Sequence, residues 1–101
     1  MAQNVMRLQN CVWGGKRLCF TRPIDFILKV NPFSGEAIVE NSDLDIYVHA
    51  ETYDDAARQT EQEIGYIWDE YILGQKAVDP PSREIASSLA KIVASYGELR
   101  T

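Results

Sequence analysis

Between Leu44 and Ile72 the hydrophobic period of the chain changes in mid-stretch. Leu44, Ile46, Val48 and Ala50 alternate with Asp45, Tyr47, His49 and Glu51, the period of two that gives a strand one core face and one wetter face. After Thr52 the spacing becomes helical: Tyr53, Ala56, Ala57, Thr60, Ile64, Ile67 and Tyr71 share one side, with Trp68 at its margin. An amphipathic helix is predicted over about residues 53–73. Thr52 is a good N-cap, and Asp54 and Asp55 set negative charge at the positive end of the helix dipole. Gly74 is read as a left-handed stop after Leu73. Gly65 weakens the helix by about 1 kcal/mol relative to Ala, and is read as a point of close packing.

Upstream, Val5 to Val12 and Lys16 to Thr21 are strand-like runs joined through Trp13-Gly14-Gly15, a hairpin turn whose glycines supply positive φ. Pro23 is expected to interrupt pairing, since it donates no amide hydrogen. Extended structure resumes at Ile24, Phe26, Leu28 and Val30, with Ile27 the exception on the outer face. A turn at residues 31–35, a strand over Glu36 to Glu40 and a turn at residues 41–43 complete a meander.

Downstream, the two prolines of QKAVDPPS exclude a continuous helix, and Asp79 or Ser82 can cap a new one. Ile85, Leu89, Ile92, Val93 and Tyr96 recur at helical spacing and Gly97 ends the run, predicting a second amphipathic helix over Ser82 to Tyr96. The expected fold is α+β: an antiparallel β-meander of four to five strands over about residues 4–51, followed by two amphipathic helices packed on one face, all in one domain spanning residues 1–101.

Charge is distributed unevenly. Residues 1–30 carry five Lys and Arg against Asp25 alone, a net +4; residues 31–70 carry eleven acids against Arg58, a net −10; the remainder carries four cations against three acids, and the whole chain sums to −5. An acidic chain repels phosphate backbones, so nucleic acid is disfavoured as the main ligand unless the basic N-terminal hairpin forms its own patch. A basic protein partner fits the acidic middle; the plain alternative is a solvated face that maintains solubility. No apolar run approaches the roughly 18 residues of a membrane span, and the N-terminus lacks the apolar core of a secretion signal, so a cytoplasmic protein is expected. Cys11 and Cys19 are too few for a zinc set and are expected as reduced thiols.

Candidate chemistry is sparse. His49, the only histidine, stands with Asp45, Tyr47 and Glu51 on the outward strand face; it could act as a base or weak metal ligand, but this is also ordinary decoration of a strand. Asp25, Asp43 and Asp45 could gather for two-metal hydrolysis only if the fold brings them together. Trp13-Gly14-Gly15-Lys16 lacks the following helix and the Ser or Thr of a phosphate loop. Tyr66, Trp68, Tyr71 and Tyr96 read chiefly as core, with Tyr66 on the helix flank as a candidate interface anchor.

The segment from Ser34 to Tyr71 resembles the small HicB-type antitoxin domain, in a strand ending near Ala-Glu-Thr followed by a helix that opens with an acidic residue and Ala; the matching positions are Glu51, Thr52, Asp55 and Ala56. The resemblance implies a sheet with a helix on one face, without catalysis of its own, that neutralises a small basic ribonuclease toxin. Ser82 to Tyr96 shows neither a helix-turn-helix nor a basic ribbon-helix-helix, so the DNA-binding segment that many such proteins add is not implied here.

The leading expectation is a non-enzymatic protein-interaction module. It would bind through the acidic helix face, Asp54, Asp55, Glu61 and Gln62 with Tyr66, and the outward strand face, Asp45, Tyr47 and His49. No cofactor or metal is expected, and a homodimer is. The alternatives are a homo-oligomeric structural protein, joined through the aromatic flank and the last helix, and a small hydrolase or nuclease using His49 with nearby carboxylates.

Overall fold

A computed structural model describes residues 2–99, with side chains from residue 4 onward. Five strands form one antiparallel sheet: β1 (Ala2–Trp13), β2 (Lys16–Val30), β3 (Ala37–Asn41) and β4 (Ile46–Ala50) lie side by side in chain order, and β5 (Val93–Glu98) pairs with β2. Helix α1 (Tyr53–Tyr66) continues into a π-helical segment (Ile67–Leu73), and α2 (Pro80–Ala90) comes after it. The fold is α+β, and no helix among the described residues is long and apolar enough to cross a membrane.

The alternation predicted from Leu44 to Ala50 holds: Leu44, Ile46, Val48 and Ala50 are buried while Tyr47 and His49 are exposed. The strand itself starts at Ile46, because Leu44 and Asp45 belong to the preceding turn, with Asp45 at φ 52° and its amide donating to the Ser42 carbonyl. One face of the sheet is closed. Met6, Cys11, Leu18, Phe26, Leu28 and Val39 from the strands meet Ala56, Thr60, Ile64 and Ile67 from the helix in a single core. Thr60 satisfies its buried hydroxyl by donating to the Ala56 carbonyl at 2.8 Å.

Thr52 caps α1 as expected, its hydroxyl accepting the Asp55 amide at 3.1 Å. The other end of the helix corrects the expectation. Gly74 has φ −78°, and it is Gln75 that turns left-handed at φ 52°. Glycine is required at 74 for space, since a Cβ there would lie 2.8 Å from the Glu70 carbonyl and 2.9 Å from that of Asp69, which accepts the Gly74 amide in the wider π pattern. YIWDEYIL holds more apolar side chains than one α-helical stripe accommodates, and the π turn re-aims Trp68, Tyr71 and Ile72 onto the core.

Two further departures arise in the strands. Pro23 does not divide β2, which runs unbroken from Lys16 to Val30; between Leu8 paired to Ile24 and Asn10 paired to Cys19, β2 has four residues opposite one, and Pro23 falls in this bulge, where no ladder amide is demanded of it. The predicted second helix is cut short. It ends at Ala90, and Val93–Glu98 forms β5 along Lys16–Phe20 of β2. Val93, Ser95 and Gly97 are poor helix formers, and the unpaired amides of the β2 edge offer a partner that a solvent-facing helical turn lacks. α2 packs on the π segment, with Leu89 fully buried.

Gly65 is where close packing matters most, as a Cβ there would fall 2.4 Å from the Trp13 ring. Gly65→Ala should therefore lower stability by about 1–3 kcal/mol through overpacking, reversing the roughly 1 kcal/mol gain in helix propensity. Gly97→Ala, with open space around its Cβ, should leave the urea midpoint unchanged or raise it.

Candidate functional site

The β1–β2 hairpin folds its tip over one side of α1, and it does so against a row of residues spaced one helical turn apart. Glu61 accepts the Val12 amide at 2.7 Å, Gly65 carries the Trp13 indole, and Asp69 receives both Trp13 Nε1 at 2.9 Å and Lys16 Nζ at 3.1 Å. The hydrogen bond to Asp69 raises the Lys16 pKa above its ordinary value. Tyr96 of β5 completes the cluster, its ring 6.5 Å from Trp13 and 5.4 Å from Trp68. The sequence carried the signal as a small residue flanked by two acids at i−4 and i+4, matched by a Trp and a Lys across a two-glycine turn.

The expected site residues therefore separate. Glu61, expected on an outward acidic face, is engaged by the hairpin backbone; Asp55 is paired with Arg58 at 2.7 Å. Asp54 and Gln62 remain exposed on the outward side of α1, and Tyr66, 54% exposed, stands edge-on to Tyr71 with ring centroids 5.7 Å apart. Tyr47 and His49 lie elsewhere, on the opposite, open side of the sheet, whereas Asp45, expected on the same strand face, sits in the β3–β4 turn at φ 52°.

That open side has its own order. Val5 pairs with Ile27, Ile27 with Glu40, and Glu40 with Tyr47, so three exposed apolar residues and one acid form a row across four strands. Two ion pairs accompany it, Arg7 with Asp25 at 2.7 Å and Lys29 with Glu40 at 3.7 Å, and His49 Nε2 faces Glu36 at 3.4 Å. Hydrogen bonding from Arg7 holds the Asp25 carboxyl below its ordinary value. The face is thus largely charge-compensated within the chain.

Asp25, Asp43 and Asp45 do not gather with His49; among the described residues, no three His, Cys, Asp or Glu side chains are placed to hold a metal ion. The cysteines are free thiols. Cys11 pairs in register with Leu18, and Cys19 with Asn10, so the pleat points the two sulfurs to opposite faces. Cys11 Sγ–H donates to the Glu61 carbonyl at 3.2 Å. No protein-family model, curated protein or solved structure matches the chain.

Burial, with the nearby Glu61 charge adding to it, pushes the Cys11 thiol from an ordinary 9.0 up to about 12. The unfolded chain releases this proton near the ordinary value while the native state keeps it, so stability should be level below about pH 9 and fall as pH rises toward 12. Cys11→Ala should remove that share of the alkaline slope in urea titrations run in parallel. In the native protein, iodoacetamide should label Cys19 well before Cys11.

Proposed function

We propose that this chain is a non-enzymatic protein-interaction module, antitoxin-like in kind, that captures a small basic protein on the outward side of α1. The observation that carries this reading is Tyr66, a large aromatic side chain left 54% exposed and packed edge-on to Tyr71, at the end of a strip bearing Asp55, Gln62 and Asp54, the last in no ion pair among the described residues. Ordered aromatics with two side-chain torsions make effective anchors at low entropic cost, and surrounding acids steer and orient a cationic partner. The resemblance over residues 34–71 supports the same reading, as does the −10 balance of residues 31–70.

A second reading is favoured by the open sheet face. Its row of Val5, Ile27 and Tyr47 is apolar and accompanied by the Arg7–Asp25 and Lys29–Glu40 ion pairs, so it opposes the approach of a second copy of a −5 chain only weakly. In this reading the protein self-associates through the sheet, and Tyr47 and His49 serve the dimer while Asp54 and Gln62 serve the partner.

Affinity capture from the native host at low and moderate salt, with light scattering on the recovered material, tests both. The expected result is one small basic protein in stoichiometric amount, released as salt shortens the Debye length below about 10 Å, and absent when Asp54→Lys/Asp55→Lys is used as bait. Tyr66→Ala should weaken binding by about 2 kcal/mol or more if it is the anchor. Tyr47→Ala should leave capture intact and instead shift mass toward the monomer. Undiminished capture by the charge-reversed bait would remove α1 as the binding face.

A further inference from the structure

The side of β2 away from β1 is bordered by β5 along Lys16–Phe20 and by β3 along Ile27–Val30, and among the described residues no strand borders Thr21–Phe26 on that side. Hydrogen bonds hold both walls of this notch. On one, the Asn41 side chain donates from Nδ2 to the Asp25 carbonyl at 3.1 Å and accepts the Leu44 amide on Oδ1 at 2.9 Å. On the other, the Thr21 amide and hydroxyl both donate to the Ile92 carbonyl, at 2.7 and 3.2 Å. Pro23 lies in the middle, where its missing amide hydrogen leaves no donor orphaned.

The notch encloses about 630 Å³, a size typical of small-molecule sites, which run from about 300 to 1,000 Å³. Its lining is mainly polar, with Arg22, Ser88 and Lys91 among its residues, and its apolar part is a floor of buried Ile24 and Leu44 with half-buried Ile92. Two of its lining residues are cations without a carboxylate partner. Arg7, Lys16, Lys29, Arg58 and Lys76 each form an ion pair, whereas among the described residues Arg17, Arg22, Arg83 and Lys91 form none, and of these four Arg22 and Lys91 line the notch. Of the two acids that line the notch, Asp25 is already neutralised by Arg7 from the open face, and Asp43 stands in the β3–β4 turn. In a chain of net charge −5, a cleft that sets Arg22 and Lys91 against Asp43, above a small apolar floor, matches an anionic head joined to a short apolar body.

We propose that this notch is a binding site for a small organic anion, with a carboxylate or phosphate head held by Arg22, Lys91 and the Ser88 hydroxyl and an apolar tail over Ile24, Leu44 and Ile92. The site is separate from α1 and from the open sheet row, so it can be occupied while either surface is engaged.

Amide NMR titration of the full chain tests it, with hexanoate, hexyl phosphate and neutral hexanol as probes. Saturable shifts at Ile24, Leu44, Ser88 and Ile92 with either anion, and at least about tenfold weaker binding in Arg22→Gln/Lys91→Gln, would establish the site, since two charge-assisted contacts are lost. Whichever anion binds more tightly identifies the head. Both substituted side chains are exposed, so the variant's spectrum away from the notch should be unchanged and its folding verified directly. Equal binding of hexanol, no saturable shift, or shifts around Arg17 as large as those around Lys91 would overturn the proposal, the last by showing only general attraction to exposed cations.

Discussion

The structure depends on the hairpin tip gripping the side of α1. A hairpin of two strands is marginal by itself, and a helix lying on a sheet is free to slide unless something fixes it along its axis. Here Glu61, Gly65 and Asp69 offer an acceptor, a gap and an acceptor at successive turns, and in return Val12 supplies a donor, Trp13 a ring and a donor, and Lys16 a donor. The indole fits because residue 65 has no side chain, and its N–H is satisfied because Asp69 stands one turn further on. Removing any one member leaves a polar group without its partner or a ring without its seat, so the contacts act as a unit.

This grip decides which charges remain available. Of the eleven acids in residues 31–70, Glu61 and Asp69 are turned inward to the hairpin, Asp55 is joined to Arg58, Glu70 to Lys76, and Glu36 and Glu40 face His49 and Lys29 across the open sheet. Lysine and arginine side chains thus compensate four of the eleven, Glu40, Asp55, Asp69 and Glu70, in the folded state. On the helix a narrow strip ending in Tyr66 persists, and on the sheet an apolar row between compensated pairs. An acidic composition indicates a kind of partner; the internal pairing indicates where such a partner can sit.

β2 organises the other half of the molecule. Fifteen residues long, it exceeds every strand that could flank its far side, and so it is shared between β3 at one end and β5 at the other. The interval between them cannot be filled by either, because β3 turns into β4 and β5 emerges from α2. Pro23 and the Asn41 side chain make the resulting notch tolerable to the backbone, and Arg22 and Lys91 place two cations in its lining beside Asp25 and Asp43.

Where burial alone determines a residue's side, the amino-acid pattern was sufficient: the alternation from Leu44 to Ala50, the stripe from Ala56 to Ile67, the Thr52 cap and the α+β meander all arise from local periodicity and capping chemistry. Gly65 was legible as a place of close approach, though not the ring that approaches it. Tertiary structure decided the rest, because each remaining choice depended on a partner distant in the chain. Ile92, Val93 and Tyr96 satisfy a helical period, but the open edge of β2, more than seventy residues earlier, draws Val93–Glu98 into a strand. Glu61 looks outward on a helical wheel until a hairpin 49 residues away presents an amide to it. The two faces of β4 are set by the pleat, but whether the outward face and the helix form one surface or two depends on which side of the sheet the helix covers. Periodicity reports which side of an element is wet; only the assembled fold determines what lies against it.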